Sequence, residues 1–329
     1  YSACMNPTAG SFNITPRMQR HYATFAVQMP ALNIIQTIYS SLMDGHMHAF
    51  DPDSAKLAGK VVDASLELHK HVSNSFLPSA VKFHYQWNLR ELSNIIGGMC
   101  RMIGEYYTNP MKVVRLWVHE VERVFQDRMI NETDMTKFDE LRQTVTKKFF
   151  EDSDMTIVEA RPIVYTAFMN FTPDDIPVYD AVKGYDSLRK ILEEKLNEHN
   201  ETNAVMDLVL FQQAMEHITR IARIINLPRG NAMLVGVGGS GKQSLARLAS
   251  FICQYEVFQV AVTSSYGVAD FKENLLMLYT KTGVKGIPMS FIMTDGQIVQ
   301  ERFLVYINDF LSSGLIPDLM TPEDKDNMC

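Results

Sequence analysis

Cysteine is scarce in this chain: four residues in 329 (Cys4, Cys100, Cys253 and Cys329), with no CxxC pair and no paired spacing. That excludes a disulfide-stapled framework and points to a reducing compartment. No apolar run approaches the roughly 20 residues of a membrane span, so none is expected. An excess of positive charge is missing as well, since 31 Lys plus Arg face 38 Asp plus Glu for a net charge of −7. A mildly acidic chain has no global electrostatic reason to sit on nucleic acid or an anionic membrane, and neither is expected as a partner. Short solenoid-type repeats are absent. With 17 Gly and 13 Pro, the chain is far from collagen-like or low-complexity composition.

What is present is the balance of a folded protein with a large core. Apolar residues make up 46% and charged residues 21%, and the length suits about two domains, three at most. The opening Tyr1-Ser2-Ala3-Cys4-Met5-Asn6-Pro7 has no initiator Met and no signal or transit composition. It reads as the end of a strand already in progress, and Thr321-Pro322-Glu323-Asp324 reads as a polar loop with no closing element. The expectation is a segment of a longer polypeptide.

Three regions differ in pattern. Residues 1–30 hold a strand end, a Gly- and Pro-punctuated loop and a second apolar run from Ala23 to Met29. Residues 31–150 are helical by periodicity. Val114, Trp117, Val118, Val121 and Phe125 fall on one face of a helix that Asn109-Pro110 starts, with Arg115, Glu122 and Arg123 expected on the opposite face. Lys147-Lys148-Phe149-Phe150-Glu151-Asp152 reads as a helix end leading into a linker. Residues 151–329 begin with a Pro-containing stretch, followed by a helical stripe of Leu208, Phe211, Met215, Ile218, Ala222 and Ile225 that Leu227-Pro228-Arg229-Gly230 stops. Beyond Asn231 the pattern alternates strand and helix, with strands expected at 232–235, 257–262 and 291–294. Their unbroken apolar runs suit a parallel sheet buried on both faces.

The strongest signal is Gly236-Val237-Gly238-Gly239-Ser240-Gly241-Lys242-Gln243-Ser244, between an expected strand and a helix with Leu245, Leu248, Ala249 and Ile252 on its apolar face. Glycines let successive N–H groups turn inward on a phosphate, and the helix N-terminus adds partial positive charge. Lys242 then bridges phosphate groups as a point charge. The position after the lysine usually holds Ser or Thr, whose hydroxyl ligates Mg²⁺; here it is Gln243, whose amide oxygen is the substitute candidate for that contact. The acidic partner at a strand end is Asp295, expected in the Mg²⁺ shell. The Glu that polarises water in hydrolytic sites is replaced by Gly296, which has no group to act as a base. Gln297 and Glu301 are the nearby polar alternatives. ATP or ADP with Mg²⁺ is the expected cofactor, with slow turnover or none.

Pro228 through Leu245 resembles the phosphate loop of the fourth AAA+ module of axonemal dynein heavy chains, and Thr294-Asp295-Gly296-Gln297-Ile298 resembles that module's degenerate second motif. Met5-Asn6-Pro7-Thr8-Ala9-Gly10-Ser11-Phe12 through His21 is similar to the later half of the third module, and Phe83-His84-Tyr85-Gln86-Trp87-Asn88-Leu89-Arg90 to its helical lid. Within that family these motifs resemble the outer-arm beta type. The resemblance implies an α/β P-loop NTPase fold with a parallel sheet and a helical lid subdomain, and a ciliary or flagellar motor driven by ATP. It divides the chain into the end of one body (1–30), its lid (31–150) and the next module (151–329). By resemblance Asn6 is a sensor, Arg20 the arginine finger and Arg90 a second sensor on the lid. Implied partners are microtubules through the parent motor, intermediate, light and heavy dynein chains, and neighbouring modules; the implied location is the cytoplasm and axoneme.

Plainer readings stand beside these. Asn6 before Pro7 also suits a turn, Arg17 rivals Arg20, and Arg90 also suits a helix-surface pair with a Glu. His46-x-His48 and His69-x-His71 point to different helix faces and read as solvated or capping residues rather than zinc ligands. The 20 Met read as core filler. As function classes, a remodelling AAA+ ATPase outside the dyneins and a purely structural nucleotide-binding scaffold remain beside the motor segment.

Overall fold

The computed structural model describes residues 14–172, 174 and 176–321. Its first part is helical: α1 (Pro16–Gln19), α2 (Leu32–Met47), α3 (Pro52–Ala55), α4 (Leu57–Ser75), α5 (Leu89–Met99), α6 (Pro110–Phe125), α7 (Glu132–Phe149) and α8 (Met155–Val158). A hairpin follows, β1 (Tyr165–Phe171) with β2 (Pro177–Ala181), and then α9 (Tyr185–Thr202) and α10 (Gln212–Ile225). The last part is α11 (Lys242–Ile252), β3 (Glu256–Gln259), α12 (Val268–Tyr279), β4 (Met289–Ile292) and α13 (Arg302–Ser313). Among the described residues no helix is long and apolar enough to cross a membrane.

The helical core forms where the stripes meet. α2 and α7 both lie on α4, and α5 lies on α6. Asn109 starts α6 as expected, its side chain accepting from the Met111 N–H at 2.9 Å ahead of Pro110. Val114, Trp117, Val118, Val121 and Phe125 are all buried. Trp117 satisfies its indole N–H on Ser65 Oγ at 2.9 Å, so the large ring is buried without an orphaned donor. α7 ends at Phe149, as the Lys-Lys-Phe-Phe pattern predicts. The opposite face of α6 differs from expectation. Glu122 is 1% exposed, held by two hydrogen bonds from Arg161 (3.0 and 2.8 Å). Arg115 donates to the Ile157 and Pro162 carbonyls, each at 2.7 Å. Glu122 is interior and Arg115 half-buried because the chain folds α8 and residues 161–162 over that face, and each finds a partner there.

The hairpin was not expected from sequence. β1 and β2 pair antiparallel, from Tyr165 opposite Ala181 to Phe171 opposite Pro177, with a register shift between Thr166 and Asn170. Tyr165 and Tyr179 join the helical core, while Phe168 and Met169 pack against a second core with α9, α10 and α11. The hairpin therefore spans the two packing units. The stripe on α10 holds from Met215 through Ala222, but the helix begins at Gln212, with Phe211 exposed at its cap.

The parallel sheet is smaller than expected. β3 and β4 pair in parallel, Glu256 opposite Met289 and Gln259 opposite Ile292, and form a two-stranded sheet. Both strands are half exposed rather than buried on both faces. The run 232–235, expected as a strand, forms no ladder among the described residues, and Met233 and Val235 are 88% and 86% exposed. A strand needs a neighbour for its N–H and C=O groups, and among the described residues β3 and β4 form ladder pairs only with each other. The same holds for the described part of the first region: after α1, residues 23–30 carry no regular secondary structure and are exposed, Phe25 and Val27 included.

Candidate nucleotide-binding site

The loop before α11 is shaped by its glycines. Gly239 and Gly241 both sit at φ +75°, the left-handed region that side chains other than glycine rarely adopt. Gly241 is also the residue preceding α11, which therefore begins with no side-chain cap. Its first N–H groups are left for an external acceptor. A Cβ at Gly238, Gly239 or Gly241 would meet nothing within 4 Å, so protein packing does not fill that side of the loop. Lys242 folds back over the turn. Its ammonium lies 2.8 Å from the Gly236 carbonyl, 2.6 Å from that of Val237 and 3.2 Å from Ser240 Oγ. Open backbone donors, a helix N-terminus and a lysine ammonium converge here, which is the chemistry a polyphosphate needs. The expected apolar face of α11 is buried at Leu245, Leu248, Ala249 and Ile252, and it anchors the loop to the second core.

The rest of the site lies at the ends of the two strands, since α11 packs against both β3 and β4. Gln243 Oε1 accepts from Gln259 Nε2 at 3.3 Å, at the last residue of β3. Arg247, one turn along α11, donates to Gln259 Oε1. Asp295 opens a single turn beyond β4 and is exposed. Gln297 does not match the expectation of a water-orienting amide. Its Oε1 accepts from the Thr294 N–H at 2.9 Å and its Nε2 donates to the Val260 carbonyl at 2.5 Å, so both ends fasten the two strand exits together. Glu301 precedes α13 and is exposed.

The remaining expected residues lie apart. Asn6 is outside the described residues. Arg20 ends α1, exposed, its Nε 3.3 Å from the neighbouring His21 ring. Arg90 is exposed in the first turn of α5, beside an anchored Glu91 that caps the Asn88 N–H at 2.6 Å and takes Arg128 at 2.6 Å. That Glu is therefore occupied, and no described ion pair or hydrogen bond involves the Arg90 side chain. His46 and His69 sit near the Met102 and Asn88 carbonyls, each at 3.1 Å.

A cavity of about 310 Å³ lies elsewhere, lined by Arg123, Arg161 and Arg220 together with Glu122, Glu216 and Tyr185. Its arginines are matched by carboxylates (Arg161 to Glu122, Arg123 to Asp127, Arg220 to Glu216), so it holds no uncompensated charge to recruit an anion. Sequence reasoning missed the buried polar cluster of Glu120, Tyr179, His119 and Arg223 nearby. No local spacing links residues so far apart. The hairpin that carries Tyr179 had a signal: the aromatic- and Thr-containing run 165–171, followed by a Pro-Asp turn.

Two family models match this chain: the AAA+ lid domain over residues 61–160 and the P-loop containing dynein motor region D4 over residues 206–329. The dynein beta chain of the flagellar outer arm of Chlamydomonas reinhardtii is 68% identical over 99% of this chain. The chain belongs to the dynein heavy-chain family. The ciliary dynein beta chain of Tripneustes gratilla is 48% identical and axonemal dynein heavy chain 17 of Homo sapiens 44% identical, each over 100% of this chain. The chain spans 7% of the length of each of these dyneins. The α/β phosphate-loop architecture with a helical lid therefore stands as a dynein fold, and the glycine loop, Lys242, Asp295 and Gly296 all lie within the span matched to region D4.

Proposed function

We propose that this chain is the stretch of a ciliary or flagellar microtubule motor that carries a regulatory nucleotide site, holding ATP or ADP with Mg²⁺ and hydrolysing it slowly or not at all. One pairing carries the reading: an open glycine cradle with Lys242 leads into α11, which packs on β4, and in the sequence just after β4 Gly296 follows Asp295. Binding groups are kept while the general base is missing. The cradle N–H groups and Lys242 hold phosphate oxygens, and Asp295 is the residue for the Mg²⁺ shell; bound Mg²⁺ supplies charge neutralisation to the phosphates. With Gln297 engaged at both ends, its amide is not free to orient a water.

In this reading residues 1–30 end the body of the third module, 31–150 form its lid, and 151–329 begin the fourth. Arg90 senses the first module's own nucleotide, Asn6 serves as that module's other sensor, and Arg20 reaches the module before it. A guanidinium that is always charged and free of an internal partner suits such work. The outer-arm and ciliary names of the relatives support an axonemal setting, with microtubules, neighbouring modules and the intermediate, light and heavy dynein chains as partners. Family membership sets aside a remodelling ring. A purely structural scaffold is separated from the regulatory site by any nucleotide-dependent change in motility.

The test is nucleotide binding by the full-length chain with Lys242→Ala. Charge-assisted hydrogen bonds contribute about 1.5–3 kcal/mol each, so affinity at this site falls by at least about tenfold. Unchanged affinity in the variant overturns the assignment.

A further inference from the structure

We infer that Gln243 meets the nucleotide as a hydrogen-bond donor rather than as an Mg²⁺ ligand, and that Arg247 and Gln259 set it that way. The argument is one of donors and acceptors. A guanidinium only donates. Arg247 therefore faces the oxygen of the Gln259 amide, and its contact is to Gln259 Oε1. That leaves the Gln259 NH₂ as the end turned towards Gln243. The atom that receives it is Gln243 Oε1, at 3.3 Å. Each amide in the relay has its orientation decided by the one before, and the chain starts from a residue that has no alternative. Gln243 is left with its oxygen turned towards Gln259 and its NH₂ without a partner among the described residues.

An amide NH₂ has no lone pair to give a cation, but it donates well to a phosphate oxygen. The hydroxyl that a phosphate loop usually offers to Mg²⁺ is thus replaced by a donor to the nucleotide itself. The consequence is a site whose grip on nucleotide depends little on Mg²⁺. Arg247 and Gln259 are positioning residues: they act on the ligand only through Gln243. This inference rests on the reading of the loop as a nucleotide site.

The experiment counts labelled ADP bound per full-length chain in excess Mg²⁺ and in EDTA, taking this site as the difference between wild type and Lys242→Ala. Wild-type affinity at the site changes by less than about threefold on chelation. In Gln259→Glu the carboxylate still takes Arg247, but it can only accept, so the Gln243 NH₂ turns towards it and Oε1 is freed. That variant becomes sensitive to chelation by about tenfold, the worth of one charge-assisted contact, with Gln243 itself unchanged. Gln243→Ser, which restores a hydroxyl, does the same. A wild-type site that loses about tenfold in EDTA, or a Gln259→Glu site as indifferent to EDTA as wild type, overturns this inference and leaves the nucleotide site standing. No difference between wild type and Lys242→Ala in either buffer overturns both.

Discussion

Arg223 on α10 and Glu120 on α6 form a buried ion pair across 103 residues of sequence. The guanidinium Nε donates to Oε1 at 3.3 Å and a terminal nitrogen to Oε2, while the Tyr179 hydroxyl donates to Oε1 at 2.8 Å. The side chains are 6% and 0% exposed. Burial opposes the charge on Arg223, but Glu120 outweighs it and holds the guanidinium above its ordinary range. The pair ties the lid-like helices to the body that carries the phosphate loop, because α10 packs directly on α11.

Removing one partner strands the other charge in the interior. Arg223→Met is expected to cost about 3–5 kcal/mol, read as lost hydrogen-exchange protection of α10 amides in the full-length chain. Replacing both partners, with Glu120→Leu added, recovers most of the loss. Equal protection in the single and double variants would show that an unpaired charge is not the cause.

Gly98 gives an independent handle on the same carboxylate. A Cβ placed there would lie 1.8 Å from Glu120 Oε2. Gly98→Ala should therefore expel Glu120 from Arg223 and reproduce the α10 defect. Its neighbour Gly97, also within α5, has nothing within 4 Å. Gly97→Ala should be neutral or stabilising by up to about 1 kcal/mol through helix propensity. The contrast between adjacent glycines is the readout, and similar behaviour of the two would refute the steric account.

His119 makes the junction sensitive to acid. Burial first, then the Arg123 and Arg223 guanidiniums, hold its pKa well below the ordinary 6.5. The folded protein thus keeps the ring neutral while the unfolded chain protonates it below about pH 6.5. The unfolded state binds more protons there, so stability is full above that pH and falls as the pH drops through it. The slope is at most about 1.4 kcal/mol per pH unit for this one group. Exchange protection of α6 followed from about pH 7.5 to about pH 5.5 should fall on the acid side. His119→Phe should flatten that dependence, and an unaltered profile would exclude His119 as its source.

Gly296 limits catalysis if the missing base is the reason for slow turnover. The position has open space for a side chain, with nothing within 4 Å of a Cβ. Gly296→Glu should raise single-turnover hydrolysis assigned to this site by subtraction of Lys242→Ala. General base catalysis contributes about 10²–10⁴-fold when well placed, so even a poorly oriented carboxylate gives a measurable gain. Wild-type hydrolysis at motor-like rates would show that Gly296 is no limitation.

The sequence by itself determined the features that depend on near neighbours. The glycine loop, Lys242, the buried face of α11, the Asn109-Pro110 start of α6 and its apolar stripe are each set by spacing over a few residues, where chain geometry leaves little choice. Only the tertiary structure decided the rest. Whether 232–235 becomes a strand depends on which backbone lies beside it, not on its own apolar run. The place of Glu122, expected only on the face opposite the apolar stripe, was decided by Arg161 and α8 folding over it. Gln243 and Gln297 look alike as exposed-type amides in sequence, yet one keeps a free NH₂ and the other has both ends engaged. Their orientation follows from donors and acceptors supplied by Gln259, Thr294 and Val260, and Glu120 waits for a guanidinium 103 residues away. Hydrogen-bond direction and charge pairing are properties of contacts, and contacts between distant residues exist only once the chain has folded.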